Sequence, residues 1–152
     1  MKILIGILCV IVCTIIGKML SEKFQKRKDF FSELNNLNQR LKSEITFKQS
    51  ILKDIVDNLN NETLKSYLVE RVFNKNDGIN VVFLTNDEND FLNDYASNLG
   101  VFDKNSQLSF LTSVDAQIQT YYKTSREEEQ KYRKLYIKLG FLFGLIIMVV
   151  VL

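Results

Sequence analysis

The chain has 152 residues, of which 46 % are apolar and 25 % charged, with a net charge of +2 and no His, Pro or Trp. The absence of histidine excludes Ser-His-Asp and Cys-His catalysis and any His-ligated metal, and the slight positive excess gives no ground for nucleic-acid binding. Lack of proline removes the usual helix breakers and so permits long uninterrupted helices.

The averages hide where the apolar residues lie. They saturate both ends, while residues 21–134 are charged and rich in Asn. Those roughly 110 residues are enough for one modest domain. The expected division is therefore 1–20 as a first transmembrane helix, 21–134 as a helical domain and 135–152 as a second transmembrane helix.

Residues 3–20 form the first apolar run, interrupted only by Lys18. At 1.5 Å per residue it spans roughly 27 Å, close to a hydrocarbon core of about 30 Å. Lys2 and Lys18 can snorkel. No Ala-x-Ala-like site follows, so an uncleaved anchor is expected rather than a signal peptide. Cys9 and Cys13, the chain's two cysteines, share one face of this helix, which excludes a disulfide or zinc site in the central domain. They read as small apolar residues facing lipid or a neighbouring helix.

The face marked by Phe24, Phe31, Leu34, Leu37, Leu41 and Ile45 continues the first span as a long amphipathic helix. Residues 50–59 (SILKDIVDNL) form a second helix, with Ile51, Leu52, Ile55, Val56 and Leu59 inward. A third over residues 62–74 carries Leu64, Tyr67, Leu68, Arg71 and Val72 on one face. NKNDG is a turn with Gly78 free to take positive φ. INVVFL (79–84) is strand-like in composition but lacks a partner strand, and reads as a buried connection or short helix.

Thr85 opens TNDE, a capping box with Glu88. The helix that follows turns Phe91, Leu92, Tyr95 and Leu99 inward and stops before Gly100. Asp103 is placed to cap the final helix, whose face runs Leu108, Leu111, Ile118, Tyr122, Tyr132, Leu139 and continues into the second apolar stretch. Asp87, Asp90 and Asp94 lie at helical spacing, but two of them sit in a first turn where the dipole favours acids. With no second cluster, no metal site is assigned. No cofactor motif or catalytic constellation emerges, and an enzyme is not expected.

The two long helices, each of about 45 residues or roughly 70 Å, should pack antiparallel with paired positions summing to about 156. That sets Arg27 opposite Glu129, Lys28 opposite Glu128, Leu37 near Ile118 and Ile45 opposite Leu111. The basic run KFQKRK then faces the acidic run REEEQ, or is free to attract anionic lipid headgroups. Basic residues flank the inner ends of both spans: Lys18, Lys23, Lys26, Arg27 and Lys28, then Lys131, Arg133, Lys134 and Lys138. By the positive-inside bias the central domain is cytoplasmic and both termini lie across the cell membrane. Gly140 and Gly144 form a G-x-x-x-G that suits either packing within the chain, against Gly6 or Gly17, or contact with a partner helix.

Several stretches in order resemble the stage III sporulation protein AB family of endospore-forming bacteria. They are LKSEITF with Glu44 and Ile45; LTNDENDFLNDYASNLGVFDKNSQ, ending in Leu99, Gly100, Asp103 and Gln107; and KLYIKLGFLFG, with Leu139, Gly140 and Gly144. The chain departs from the family in lacking a proline-bearing turn after Phe47 and in a shortened region around 74–84. The resemblance implies an all-α fold related to the cytoplasmic domains of secretion and pilus platform proteins, two terminal transmembrane helices and a small helical bundle. It also implies a non-enzymatic, membrane-anchored adaptor in a channel complex between mother cell and forespore. Its partners would be a secretion-type ATPase like stage III sporulation protein AA, other membrane channel subunits and the bilayer, with the domain on the mother-cell side. The alternative is a membrane-tethered coiled-coil spacer or sensor.

Overall fold

The structure, a computed structural model, describes the backbone of residues 2–44, 49–76 and 79–151 and the side chains of 6–44, 52–76 and 79–150. Ile45, Ile51 and Gly78 lie outside the described side chains. The chain is all-helical: α1 Lys2–Ser43, α2 Gln49–Asp57, α3 Glu62–Leu68, α4 Asn86–Asn98 and α5 Lys104–Val151, with a π-helical turn Val69–Phe73 after α3. No strand occurs among the described residues. Two compact units result, Met1–Lys28 with Thr124–Leu152, and Asp29–Lys123.

The unit Asp29–Lys123 has an ordinary apolar core. The helices contribute to it Phe30, Phe31, Leu34, Leu37 and Leu41 of α1, Leu52, Ile55 and Val56 of α2, Leu64, Tyr67 and Leu68 of α3, Leu92, Tyr95 and Ala96 of α4, and Leu111 and Ile118 of α5. Burying each large side chain contributes roughly 1.5–3 kcal/mol. Helix starts follow local chemistry. The Asn61 side chain accepts from Leu64 N–H at α3, and at α4 Thr85 and Glu88 form the reciprocal capping box.

The structure refines the sequence reading at two places. The third helix leaves α geometry at Val69, with Asn74 N–H donating to Val69 C=O. A regular α-helix would put Arg71 on the same face as Leu64, Tyr67 and Leu68. The wider turn brings Val72 and Phe73 against the core, while Arg71 stays near enough to Tyr67 to act on its phenol and donates from Nη2 to Ser97 Oγ. The 79–84 segment is a connection ending in a turn: Val81 and Leu84 are buried, and Val82 points out with 98 % of its surface exposed.

The other unit is inverted in its use of side chains. Its buried positions include Gly6, Gly17, Ser21, Ser125, Glu129 and Gly144, while Ile7, Leu8, Ile11, Ile15, Leu142, Phe143 and Ile146 are exposed. Small residues are inside because the helices run antiparallel almost backbone to backbone. A Cβ on Gly17 would lie 2.6 Å from Tyr136 O, one on Gly140 2.6 Å from Cys13 O, and one on Gly144 2.7 Å from Val10 Cα. Among the described residues no helix is long and apolar enough to cross a membrane. Both apolar stretches of the sequence run past the described side chains, which begin at Gly6 and end at Val150.

Candidate functional site

The family-type residues Leu99, Gly100, Asp103 and Gln107 come together at the junction of α4 and α5. Leu99 is buried and ends α4, and Gly100 follows in the left-handed region at φ +74°. Gly100 N–H donates to Gln107 Oε1 at 3.1 Å, and Gln107 N–H donates to Asp103 C=O at 2.8 Å. The Asp103 carboxylate accepts from Asn105 N–H, and hydrogen bonding from the Ser106 side chain, first of all, holds its carboxyl below the usual range. The spacing of this motif is thus the spacing of a helix–turn–helix joint. Glu44 sits exposed just past α1, its N–H donating to Arg40 C=O.

A second cluster, not anticipated from the sequence, joins the end of α1 to α5 and centres on Asp115. Its Oδ1 accepts from Asn38 Nδ2 at 3.0 Å and Gln39 Nε2 at 2.7 Å; its Oδ2 accepts from Lys42 Nζ at 3.3 Å and Gln119 Nε2 at 3.2 Å. Asn38 is fully buried, donates also to Leu111 C=O and accepts from Tyr95 O–H at 3.4 Å. Burial foremost, then the charge of Asp115, pushes the Tyr95 phenol well above its ordinary pKa. The only hint in the sequence is Asn38 interrupting a leucine-spaced face.

In the other unit Gly140 packs on Gly17 and Cys13, and Gly144 on Val10. The G-x-x-x-G is therefore a contact within the chain, with Leu139 beside it on the exposed side. Phe24 stacks on Tyr132 and Tyr136, at ring-centroid separations of 5.1 and 5.8 Å. Arg27 donates to Glu128, one residue short of the Glu129 expected from simple pairing. Glu129 is turned along its own helix and accepts from Arg133 at 2.9 Å. Lys28 is also engaged.

Asp87, Asp90 and Asp94 are exposed on α4, and Asp94 accepts from Asn98. Among the described residues no group of three His, Cys, Asp or Glu side chains could hold a metal ion.

A family model described as stage III sporulation protein AB matches residues 2–76 and 70–152. The chain belongs to the stage III sporulation protein AB family. No curated protein and no solved structure matches it. The two matched segments overlap at residues 70–76, across the end of the π turn. In this stage III sporulation protein AB family member, Leu99, Gly100, Asp103 and Gln107 form the α4–α5 joint, and Gly140 and Gly144 form the seam against α1.

Proposed function

We propose that this sporulation protein is a non-enzymatic adaptor of the channel complex between mother cell and forespore, held in the membrane by its Met1–Lys28/Thr124–Leu152 unit and docking a secretion-type ATPase through its Asp29–Lys123 unit. The observation that carries the membrane part is the inversion of the first unit. Glycine and serine lie inside, and leucine, isoleucine and phenylalanine outside, an arrangement that suits apolar surroundings such as lipid. Phe24, Tyr132 and Tyr136 form the aromatic group expected at a headgroup boundary, with Lys23 Nζ 5.0 Å from the Phe24 ring and Lys131 Nζ 5.3 Å from the Tyr132 ring.

Charge supports the orientation. The first unit carries eleven Lys and Arg against four acids, nearly all next to the apolar stretches on one side, which favours a cytoplasmic Asp29–Lys123 unit and termini across the membrane. The adaptor role and an ATPase like stage III sporulation protein AA are what the resemblance to the family suggests, and fold likeness alone is a thin warrant for them. Other channel subunits would contact the same protein in the bilayer.

The test is binding of the secretion-type ATPase of the same genome to the full chain reconstituted in nanodiscs. Saturable binding with no nucleotide hydrolysis by the chain alone is expected. A folded, reconstituted chain that ignores the ATPase and self-associates would make it a tethered spacer instead.

A further inference from the structure

One surface of the Asp29–Lys123 unit is built unlike the rest. A groove of about 500 Å³ runs between α3 with its π turn and the 79–84 connection, lined by Glu62, Ser66, Tyr67 and Glu70 on one side and by Val82 and Phe83 on the other. Val82 is a nearly fully exposed aliphatic side chain, yet its turn is fixed. The buried Asn89 side chain accepts from Val81 N–H at 2.8 Å, while its amide group reaches Val81 C=O, Leu84 C=O and Thr85 C=O at 3.3, 3.4 and 3.0 Å. Four contacts from one asparagine hold an apolar knob in water.

Preorganisation of this kind removes the ordering cost that a loop would otherwise incur on binding. Across the groove from the knob, Glu62 and Glu70 belong to no ion pair among the described residues; the Glu70 carboxylate accepts from Asn74 Nδ2 at 3.0 Å. The wider surface has the same sign. Of the described residues in 54–103, eight acids are exposed or half-buried against three bases, Lys65, Arg71 and Lys75. An apolar wall opposite two uncompensated carboxylates fits a segment with an aliphatic residue beside Lys or Arg, whose stem lies on the wall while the cation reaches the acids.

We infer that the groove between α3 and the Val82 turn is the docking face for a basic, apolar segment of the ATPase; this rests on the adaptor reading above. The acids alone would have a simple explanation at Glu62, which sits in the first turn of α3 where the dipole favours a carboxylate. That explanation leaves the fixed, exposed Val82 and the second acid, Glu70 of the π turn, unaccounted for.

The experiment titrates the ATPase onto the full chain in nanodiscs, comparing wild type with Val82→Asp, with the pair Glu62→Lys/Glu70→Lys, and with a control pair of equal charge change outside the groove, Asp54→Lys/Asp90→Lys. All five positions are exposed or half-buried, so circular dichroism should show unchanged helix content. Val82→Asp and the groove pair should each weaken binding by about tenfold or more, the control pair by less than about threefold. Added salt should weaken wild type more than the groove pair. Wild-type binding that survives both groove variants, or that falls equally with the control pair, overturns the groove while leaving the adaptor role standing. No binding by wild type overturns the adaptor role and the groove with it.

Discussion

Gly17 and Gly140 meet across α1 and α5 so closely that a Cβ placed on Gly17 would lie 3.3 Å from the Gly140 Cα and 2.6 Å from the Tyr136 carbonyl oxygen. Both obstructing atoms are backbone, so no rotamer change can relieve the clash. Gly17→Leu should force the helices apart and destabilise the pair by about 1–3 kcal/mol, read as a lower melting temperature of the full chain in mild detergent. Ile15→Leu, on the exposed side, should leave melting unchanged.

The Asp115 cluster should respond cooperatively. Asp115→Ala removes the acceptor for Asn38, Gln39, Lys42 and Gln119, and leaves the buried Asn38 amide short of a partner. The expected loss is about 2–3 kcal/mol, since an unsatisfied buried polar group costs about 1–3 kcal/mol. A double-mutant cycle with Asn38→Ala, followed by denaturant unfolding, should give a coupling energy above about 0.5 kcal/mol. Additive losses would show that the two side chains act independently.

The start of α4 is held by Thr85 and Glu88 bonding to each other's backbone N–H groups, at 3.3 and 2.9 Å. Thr85→Ala should lower stability by about 1 kcal/mol, whereas Thr85→Ser should keep most of it. For a chain of this size the melting shift expected for the alanine variant is about 2–4 °C.

Alkali should unfold the Asp29–Lys123 unit sooner than the helix content suggests. Burial pushes the Tyr67 phenol from 10.0 up to about 12, against a smaller opposing effect of Arg71. A raised folded-state pKa means stability that is complete below pH 10 and is lost as pH rises from 10 through about 12. Tyr95, buried in the core, is shifted in the same direction. Tyr67→Phe gives up the hydrogen bond to Asn93 Oδ1 at 2.6 Å, but should flatten the decline of stability across that pH window. An unchanged slope in urea melts taken at successive pH values would place the titration elsewhere.

What could be read from the sequence was what depends on near neighbours. TNDE announces a capping box because all its partners lie within four residues. Gly100 announces a helix end because a positive φ favours the one residue without a Cβ. The long antiparallel pairing was legible from leucine spacing and charge, yet placed Arg27 against Glu129, whereas it meets Glu128. One residue is a rotation of about 100° on a helix, and Arg133 claims Glu129 from its own helix. Asp115 was illegible because its donors come from α1, more than seventy positions away, apart from Gln119. Val82 was illegible for another reason: in INVVFL nothing distinguishes the valine that faces water from the one that faces Asn89.

The glycine seam also governs how freely this chain can drift. Gly17, Gly140 and Gly144 face inward, where backbone meets backbone, so substitutions there alter the spacing of two helices at once. The outward residues, among them Ile11, Ile15, Phe143 and Ile146, answer only to the medium around them. In a randomised library those positions should interchange Leu, Ile, Val and Phe without penalty, while the seam stays invariant. Divergent relatives would then look scrambled along their ends, yet keep the same few glycines in register.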